Sequence, residues 1–426
     1  MSYQSYPKLA EQVFRRVLPN GLTVIVIQRP GFQRKLAYFA TDFGSIHRDF
    51  IWEGKQYHVP AGIAHFLEHK MFDLPDRDVS AELAALGAHV NAFTSYDMTA
   101  YHFSCTDNFE PCLDRLLEFV STPYFTDESV QKELGIIDQE IGMNDDSPDT
   151  IAFEMLTEGM YRHHDIRTPI LGTCDSIRQI TPELLELCHK AFYTPANMVL
   201  CVMGDVDPEQ VVAAAENRLG TQLHPMGQKI PSEQEELTCP TSFCEKVMEI
   251  AMPSFQIGFK CEPIEKGEKG IRQEVVRDMA AEALFGESSR LYLELYEQGV
   301  IDNSFGGGFE TVDGCALLTC GGDSREPEAV KAALLSHASR LEQEGIPQDE
   351  FLRMKRSAMG RRIRNLDSFD STCFRMCAYH FDEFDYFLFP KIYEEITAQE
   401  ALDFLKQTIR EERCTLSVIH PIKEEA

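Results

Sequence analysis

Two stretches about one half-chain apart carry the same pattern, and this limits the architecture more than any other feature. Ile180-Thr-Pro-Glu-Leu-Leu leads into the apolar run 198–203, and Ile396-Thr-Ala-Gln-Glu-Ala leads into the apolar run 414–419. The segments between them echo each other too. In the first half, strand patterns at 21–27 and 35–43 precede helical periodicity at 61–71 and 79–86. Strands at 89–94 and 100–105 follow, then helices near 110–119, 128–143, 151–161, 182–192 and 208–219. In the second half, strands near 243–250 and 255–261 precede helices at 271–285 and 288–296. Strands near 305–310 and 316–320 come next, then long helices through 328–344 and 350–364. Strands are grouped rather than strictly alternating with helices, which makes the fold α+β. We read an internal duplication of one α+β unit: residues 1–219, a linker at 220–240 with three prolines and little periodicity, and residues 241–426. Two equal halves joined by a linker can face each other across a cavity, a common place for a site.

Composition narrows the functions such a chain can serve. Of the 426 residues, 43% are apolar and 26% charged, so a sizeable core is available and disorder throughout is excluded. The formal net charge is −29, with no cluster of cations to offset it, which argues against binding a phosphate backbone. The 13 cysteines are odd in number, scattered, and include no CxxC pair. They read as reduced thiols, not as a disulfide framework or a cysteine-based zinc site. No apolar run is long enough to cross a bilayer, and residues 1–16 lack the apolar stretch of a secretory signal. The expectation is a soluble cytoplasmic protein with no membrane partner.

The chemistry concentrates in Ala61-Gly-Ile-Ala-His65-Phe-Leu-Glu68-His69, an H-x-x-E-H sequence within a helical pattern. Residues i and i+4 of a helix lie about 40° apart and one turn along, so His65 and His69 can aim ring nitrogens at one ion. Glu68 lies on an adjoining edge, placed to reach a water on that ion without being a ligand. This is the inverted form of the zinc-peptidase helix. Chance alone produces such a pattern in roughly one chain of this length in twenty-five, so a third ligand is the test. The helix at 128–143 offers Glu133 and Glu140, seven residues and two turns apart on one face. They are about 10 Å apart along the axis, so only one of them can bind the metal. The other can orient a ligand histidine.

Together these motifs resemble the pitrilysin/insulinase family of zinc peptidases, an inverzincin group, and in particular its short two-half bacterial and mitochondrial-processing-type members. Gly62, His65, Glu68 and His69 match the family's G-x-x-H-x-x-E-H. Asn91-Ala-Phe-Thr94 matches its N-A-x-T strand, and Glu133 and Glu140 match its E-x-x-x-x-x-x-E helix. Leu171-Gly-Thr, Tyr193-Thr-Pro-Ala-Asn197 and Gly204-Asp-Val-Asp207 also resemble family stretches, and the likeness spans nearly the whole chain. The resemblance implies two similar α/β-sandwich halves enclosing a chamber. It implies Zn²⁺ held by His65, His69 and Glu140, with Glu68 as the catalytic base and Glu133 as the supporting carboxylate. It also implies that substrate is held as an added strand at Asn91 and Ala92. The implied activity is metalloendopeptidase cleavage of short or unfolded peptides.

The second half departs from the family. After Ser288-Ser-Arg-Leu291, Tyr296 stands where many members have an Arg, and Asn303 stands where they have a Tyr. Neither offers the cationic fork of an arginine. Either a related subunit supplies that Arg and Tyr in a heterodimer, or the chain acts alone or as a homodimer with different specificity. Arg290 is read as a surface residue at a helix start rather than as a substitute. The rival function is a non-catalytic core or scaffold subunit of the same fold. A scaffold, however, has no need of His65, Glu68, His69 and Glu140 together. Three other features are given structural readings: His163-His164 a loop role, Cys373 and Cys377 core packing, and Gly306-Gly-Gly308 a flexible turn or bulge at a strand.

Overall fold

The computed structural model describes residues 2–75 and 77–422. It forms two compact units, each built on one sheet. The first comprises residues 1–141, 169–231 and 363–387, and the second 142–168, 232–362 and 388–426.

The sheet of the first unit has seven strands, in the order Ser2–Tyr6, Glu11–Val17, Thr23–Gln28, Met198–Gly204, Lys35–Thr41, Thr99–Cys105 and His89–Thr94. Met198–Gly204 runs parallel to Thr23–Gln28, and every other neighbouring pair is antiparallel. The sheet of the second unit has five strands, in the order Phe243–Met248, Cys414–Pro421, Ser254–Cys261, Cys315–Asp323 and Gly306–Val312. Phe243–Met248 and Cys414–Pro421 are its one parallel pair. Strand for strand this repeats the order and direction of the last five strands of the first sheet, so the duplication in the sequence is a duplication of topology. The two echoing segments mark the same corner of each unit. The helices Pro182–Phe192 and Ala398–Thr408 each start at a threonine, Thr181 and Thr397, whose hydroxyl accepts a backbone N–H of the first turn.

The first sheet is covered on both faces, which is why its middle strands are nearly continuous apolar runs. All seven residues of Met198–Gly204 are buried. Val24, Val26, Phe39, Leu200 and Val202 pack towards Leu67, Leu113 and Leu116 from the helices on one face. The alternate residues face the helix Phe369–Phe381, and Cys201 there meets Cys373 and Cys377, all three fully buried. In the second unit it is Pro148–Met160 that lies across Ser254–Cys261 and Cys414–Pro421. These two helices occupy equivalent places in the chain, so each unit takes one helix from the opposite half of the sequence. The spatial division follows the linear one at 231–232, inside the linker, and departs from it at 142–168 and 363–387. Periodicity tells which face of a helix is buried, but not which sheet buries it.

Other elements were not evident from the sequence. Ser2–Tyr6 and Glu11–Val17 extend the first sheet, and Gln228–Lys229, Asp49–Trp52 and Lys55–His58 form a small sheet of their own. Gly306-Gly-Gly308 is neither a turn nor a bulge. It pairs in regular register with Gly321, Cys320 and Thr319, and a Cβ on Gly307 would lie 2.0 Å from the Thr319 carbonyl oxygen. Glycine is there for close approach of the strands.

Candidate metal centre

The helix that carries H-x-x-E-H, Ile63–Lys70, is fixed at both ends. It begins at Gly62 in the left-handed region, φ 86°. A Cβ there would lie 2.3 Å from the Leu171 carbonyl oxygen, and one on Gly172 would lie 2.5 Å from the Ala61 carbonyl oxygen. The two glycines thus let the 171–172 turn close against the helix start, where Ser176 Oγ also donates to the Ala61 carbonyl at 3.0 Å. At the other end the side chain of Lys70 is fully buried. Its ammonium pairs with Asp73 and donates to the Ser129 carbonyl at 3.3 Å. Ser129 lies in the first turn of Asp127–Asp145, the helix that carries Glu133 and Glu140, so Lys70 ties the two helices together.

The predicted side chains converge within the first unit. One ligand-capable atom from each of His65, His69 and Glu140 lies within 4.8 Å of the other two, and this is the one such group among the described residues. The two imidazoles have ring centroids 4.6 Å apart. His65 Nε2 is 3.7 Å from Glu140 Oε1, and His69 Nε2 is 3.6 Å from Glu140 Oε2. These spacings are too long for hydrogen bonds. They are close to the roughly 3.4 Å edge of a tetrahedron of N and O ligands bound to Zn²⁺ at 2.0–2.2 Å. His65 has no other use for its polar atoms among the described residues, since its Nδ1 is buried without a hydrogen-bond partner. Donor types and spacing therefore fit a zinc ion.

For His65 the electrostatics agree with that use. Burial, reinforced by His69, pushes the pKa of His65 down to about 3, so its ring is the neutral form that binds metals. Burial also opposes the cation on His69, but the bond from its Nδ1 to Glu133 Oε1, 2.9 Å, and the charges of Glu68, Glu133 and Glu140 raise its pKa overall. That bond points His69 Nε2 at Glu140. Glu133 thus touches His69 and is the kind of outer carboxylate that can orient a ligand histidine. Glu68 is 7% exposed, and burial pushes its carboxyl pKa up against the opposing hydrogen bond from Thr94.

The remaining predicted residues lie as follows. Asn91 is exposed and Ala92 half-buried on His89–Thr94, the last strand of its sheet, which among the described residues pairs on one side only. In the second unit Tyr296 is 52% exposed and stacked on Tyr292, and Asn303 is exposed. Arg290 pairs with Glu294 at 2.7 Å at the start of its helix. His164 has a loop role, with Nδ1 accepting from the Ile166 N–H at 3.1 Å and Nε2 donating to the Asp313 carbonyl at 2.8 Å. Sequence reasoning missed Thr94 and Lys70 as members of the site. A lysine directly after the second histidine of an apolar helix was the available signal for one, and the threonine of N-A-x-T for the other.

Comparison with known proteins shows the family. Residues 54–174 match the family model described as Insulinase (Peptidase family M16), and residues 179–358 match that described as Peptidase M16 inactive domain. The chain is 36% identical to the Bacillus subtilis protein named Uncharacterized zinc protease YmfH over 98% of both chains. It superposes with a TM-score of 0.93 and 33% identity on an M16-like peptidase from Alicyclobacillus acidocaldarius, covering 97% of this chain and 99% of that one. A protease from Helicobacter pylori, 18% identical, shares the fold with a TM-score of 0.83 over 96% of this chain and 100% of that one. The chain therefore belongs to the insulinase family of peptidases, family M16.

Proposed function

We propose that the chain is a zinc metalloendopeptidase that hydrolyses short or unfolded peptides. The observation that carries this reading is the convergence of His65, His69 and Glu140 within 4.8 Å, with Glu68 one residue before the second histidine. His65, His69 and Glu140 would hold the ion. Bound there, Zn²⁺ supplies Lewis acidity, which polarises a carbonyl and makes water acidic enough to lose a proton near neutral pH. Glu68 takes that proton as general base and later delivers it to the leaving amine, which splits the peptide bond without a covalent enzyme intermediate. Glu133 keeps the His69 ring in one tautomer and orientation. Asn91 and Ala92, on a strand with one free edge, hold the substrate backbone as an added strand.

A related subunit supplying the Arg and Tyr completes the proposal. The exposed Tyr296 and Asn303 stand at those positions and carry no cation. A cytoplasmic setting accords with the thirteen cysteines, all free thiols. No helix among the described residues is long and apolar enough to cross a membrane.

The test is a digest of an unspecific peptide mixture by zinc-loaded wild type and Glu68→Gln, with and without co-purified protein. Cleavage by wild type and its loss in a variant that still binds zinc are expected. Retained turnover in Glu68→Gln refutes the role of Glu68. Zinc binding with no cleavage under any condition favours the scaffold reading.

A further inference from the structure

Thr94 is the last residue of the edge strand His89–Thr94, and its Oγ1 lies 2.7 Å from Glu68 Oε2. A threonine hydroxyl has one hydrogen to give. An ionised carboxylate has none, so Thr94 is the donor. The distance is that of a charge-assisted O–H···O bond.

The surrounding hydroxyls leave Thr94 free for this task. Thr99 Oγ1 lies 3.4 Å away, but its own hydrogen goes to the Phe43 carbonyl at 2.8 Å. Behind it the Tyr193 hydroxyl bonds to Thr99, and the Tyr101 hydroxyl lies 2.9 Å from that of Tyr193. Tyr101 is fully buried and Tyr193 nearly so. This run of hydroxyls ends on the Phe43 carbonyl and takes no hydrogen from Thr94. Among the described residues the Glu68 carboxylate has one hydrogen-bond partner, Thr94, and it is on Oε2. The terminal torsion of a glutamate is broad, so without that bond the carboxylate could present either oxygen over a wide arc. At 7% exposure little water is at hand to fix it instead.

We propose that Thr94 is a positioning residue for the general base: its hydroxyl holds Glu68 by Oε2 and leaves Oε1 as the oxygen that takes the proton. This rests on the reading of Glu68 as the base. It gives the strand two tasks, since the strand proposed to carry the peptide backbone at Asn91 and Ala92 also sets the base three residues after Asn91.

The experiment uses the full zinc-loaded chain as wild type, Thr94→Val, Thr94→Ala, Thr94→Ser and Glu68→Gln. Zinc affinity is read by chelator competition, kcat and KM on a quenched fluorescent peptide, and the Glu68 conformation by crystallography. Valine keeps the shape and removes the hydroxyl, and serine restores the hydroxyl. The expected result for Thr94→Val, and for Thr94→Ala should valine impair folding, is a kcat lower by roughly 10- to 100-fold with KM and zinc affinity within about threefold of wild type. Thr94→Ser is expected within about threefold of wild type in all three. Glu68 is expected in one conformation in wild type and Thr94→Ser, and spread over several in Thr94→Val. A Thr94→Val enzyme at full kcat, a serine variant as slow as valine, an unmoved Glu68, or zinc loss in both valine and alanine variants overturns the proposal. Glu68→Gln separates the two readings. If it is inactive while Thr94→Val is fully active, only the role of Thr94 falls; if it turns over peptide, the base assignment itself falls.

Discussion

Glu133 makes one contact to a proposed zinc ligand, and removing it has a calculable effect. Its Oε1 accepts from His69 Nδ1 at 2.9 Å, and its side chain is 12% exposed against 25% for that of His69. The bond is thus largely sheltered from water. A hydrogen bond to a charged group in such a setting contributes about 1.5–3 kcal/mol. At ~1.4 kcal/mol per tenfold, that is a loss of roughly 10- to 150-fold in zinc affinity, provided the bond is made in full only when His69 is held as a ligand. Glu133→Ala removes the acceptor and should show the whole loss. Glu133→Gln keeps an acceptor but no charge and should fall between. Glu128→Ala, an exposed carboxylate on the same helix, should bind zinc like wild type. Affinity is measured by competition with a chromophoric chelator, with circular dichroism to show that each variant is folded. A folded Glu133→Ala chain that binds zinc within twofold of wild type would refute the reasoning, because the His69 ring would then need no outer partner.

Further outcomes follow from other parts of the structure. Gly62→Ala must place a Cβ 2.3 Å from the Leu171 carbonyl oxygen at φ 86°, so urea unfolding should show a loss above about 2 kcal/mol, together with weaker zinc binding. An unchanged midpoint would mean that the 171–172 turn yields freely. His189 is 6% exposed, and burial pushes its pKa down to about 4, against ~6.5 when unfolded. The unfolded chain then binds the extra proton, so this stability is complete above about pH 6.5 and is lost as pH falls towards 4. Acidifying the zinc-free protein from pH 7 to 5 should cost about 2 kcal/mol through this group, and His189→Phe should remove that part of the slope. An identical slope in the variant would rule it out.

The sequence revealed the fold through patterns that recur. Alternation and apolar runs marked the central strands, and the matched Thr181 and Thr397 helix starts gave away the duplication. It did not reveal the exchange of Pro148–Met160 and Phe369–Phe381 between units, because an apolar helix face looks the same whichever sheet it covers. Glu11–Val17 was missed because its pattern is mixed, with Arg15 and Arg16 inside a strand. The side chains that converge at the candidate metal centre were legible because helical spacing dictates which side chains share a face. Spacing alone left Glu133 and Glu140 open; the family resemblance picked Glu140, and only the tertiary fold brings it within 4.8 Å of both histidines. Thr94 and Lys70 were hidden for the same reason: their partners, Glu68 and the Ser129 carbonyl, are distant in sequence and adjacent only after folding.

X-ray absorption at the zinc edge of the purified chain, with metal counted per chain, bears most directly on whether these three side chains hold one ion. One zinc per chain with only nitrogen and oxygen neighbours at about 2.0–2.2 Å, two of them imidazole, and loss of that zinc in Glu140→Ala are expected. A sulfur shell near 2.3 Å would place the metal among the thirteen cysteines instead. That result, or a Glu140→Ala chain with an unaltered spectrum, would contradict the assignment.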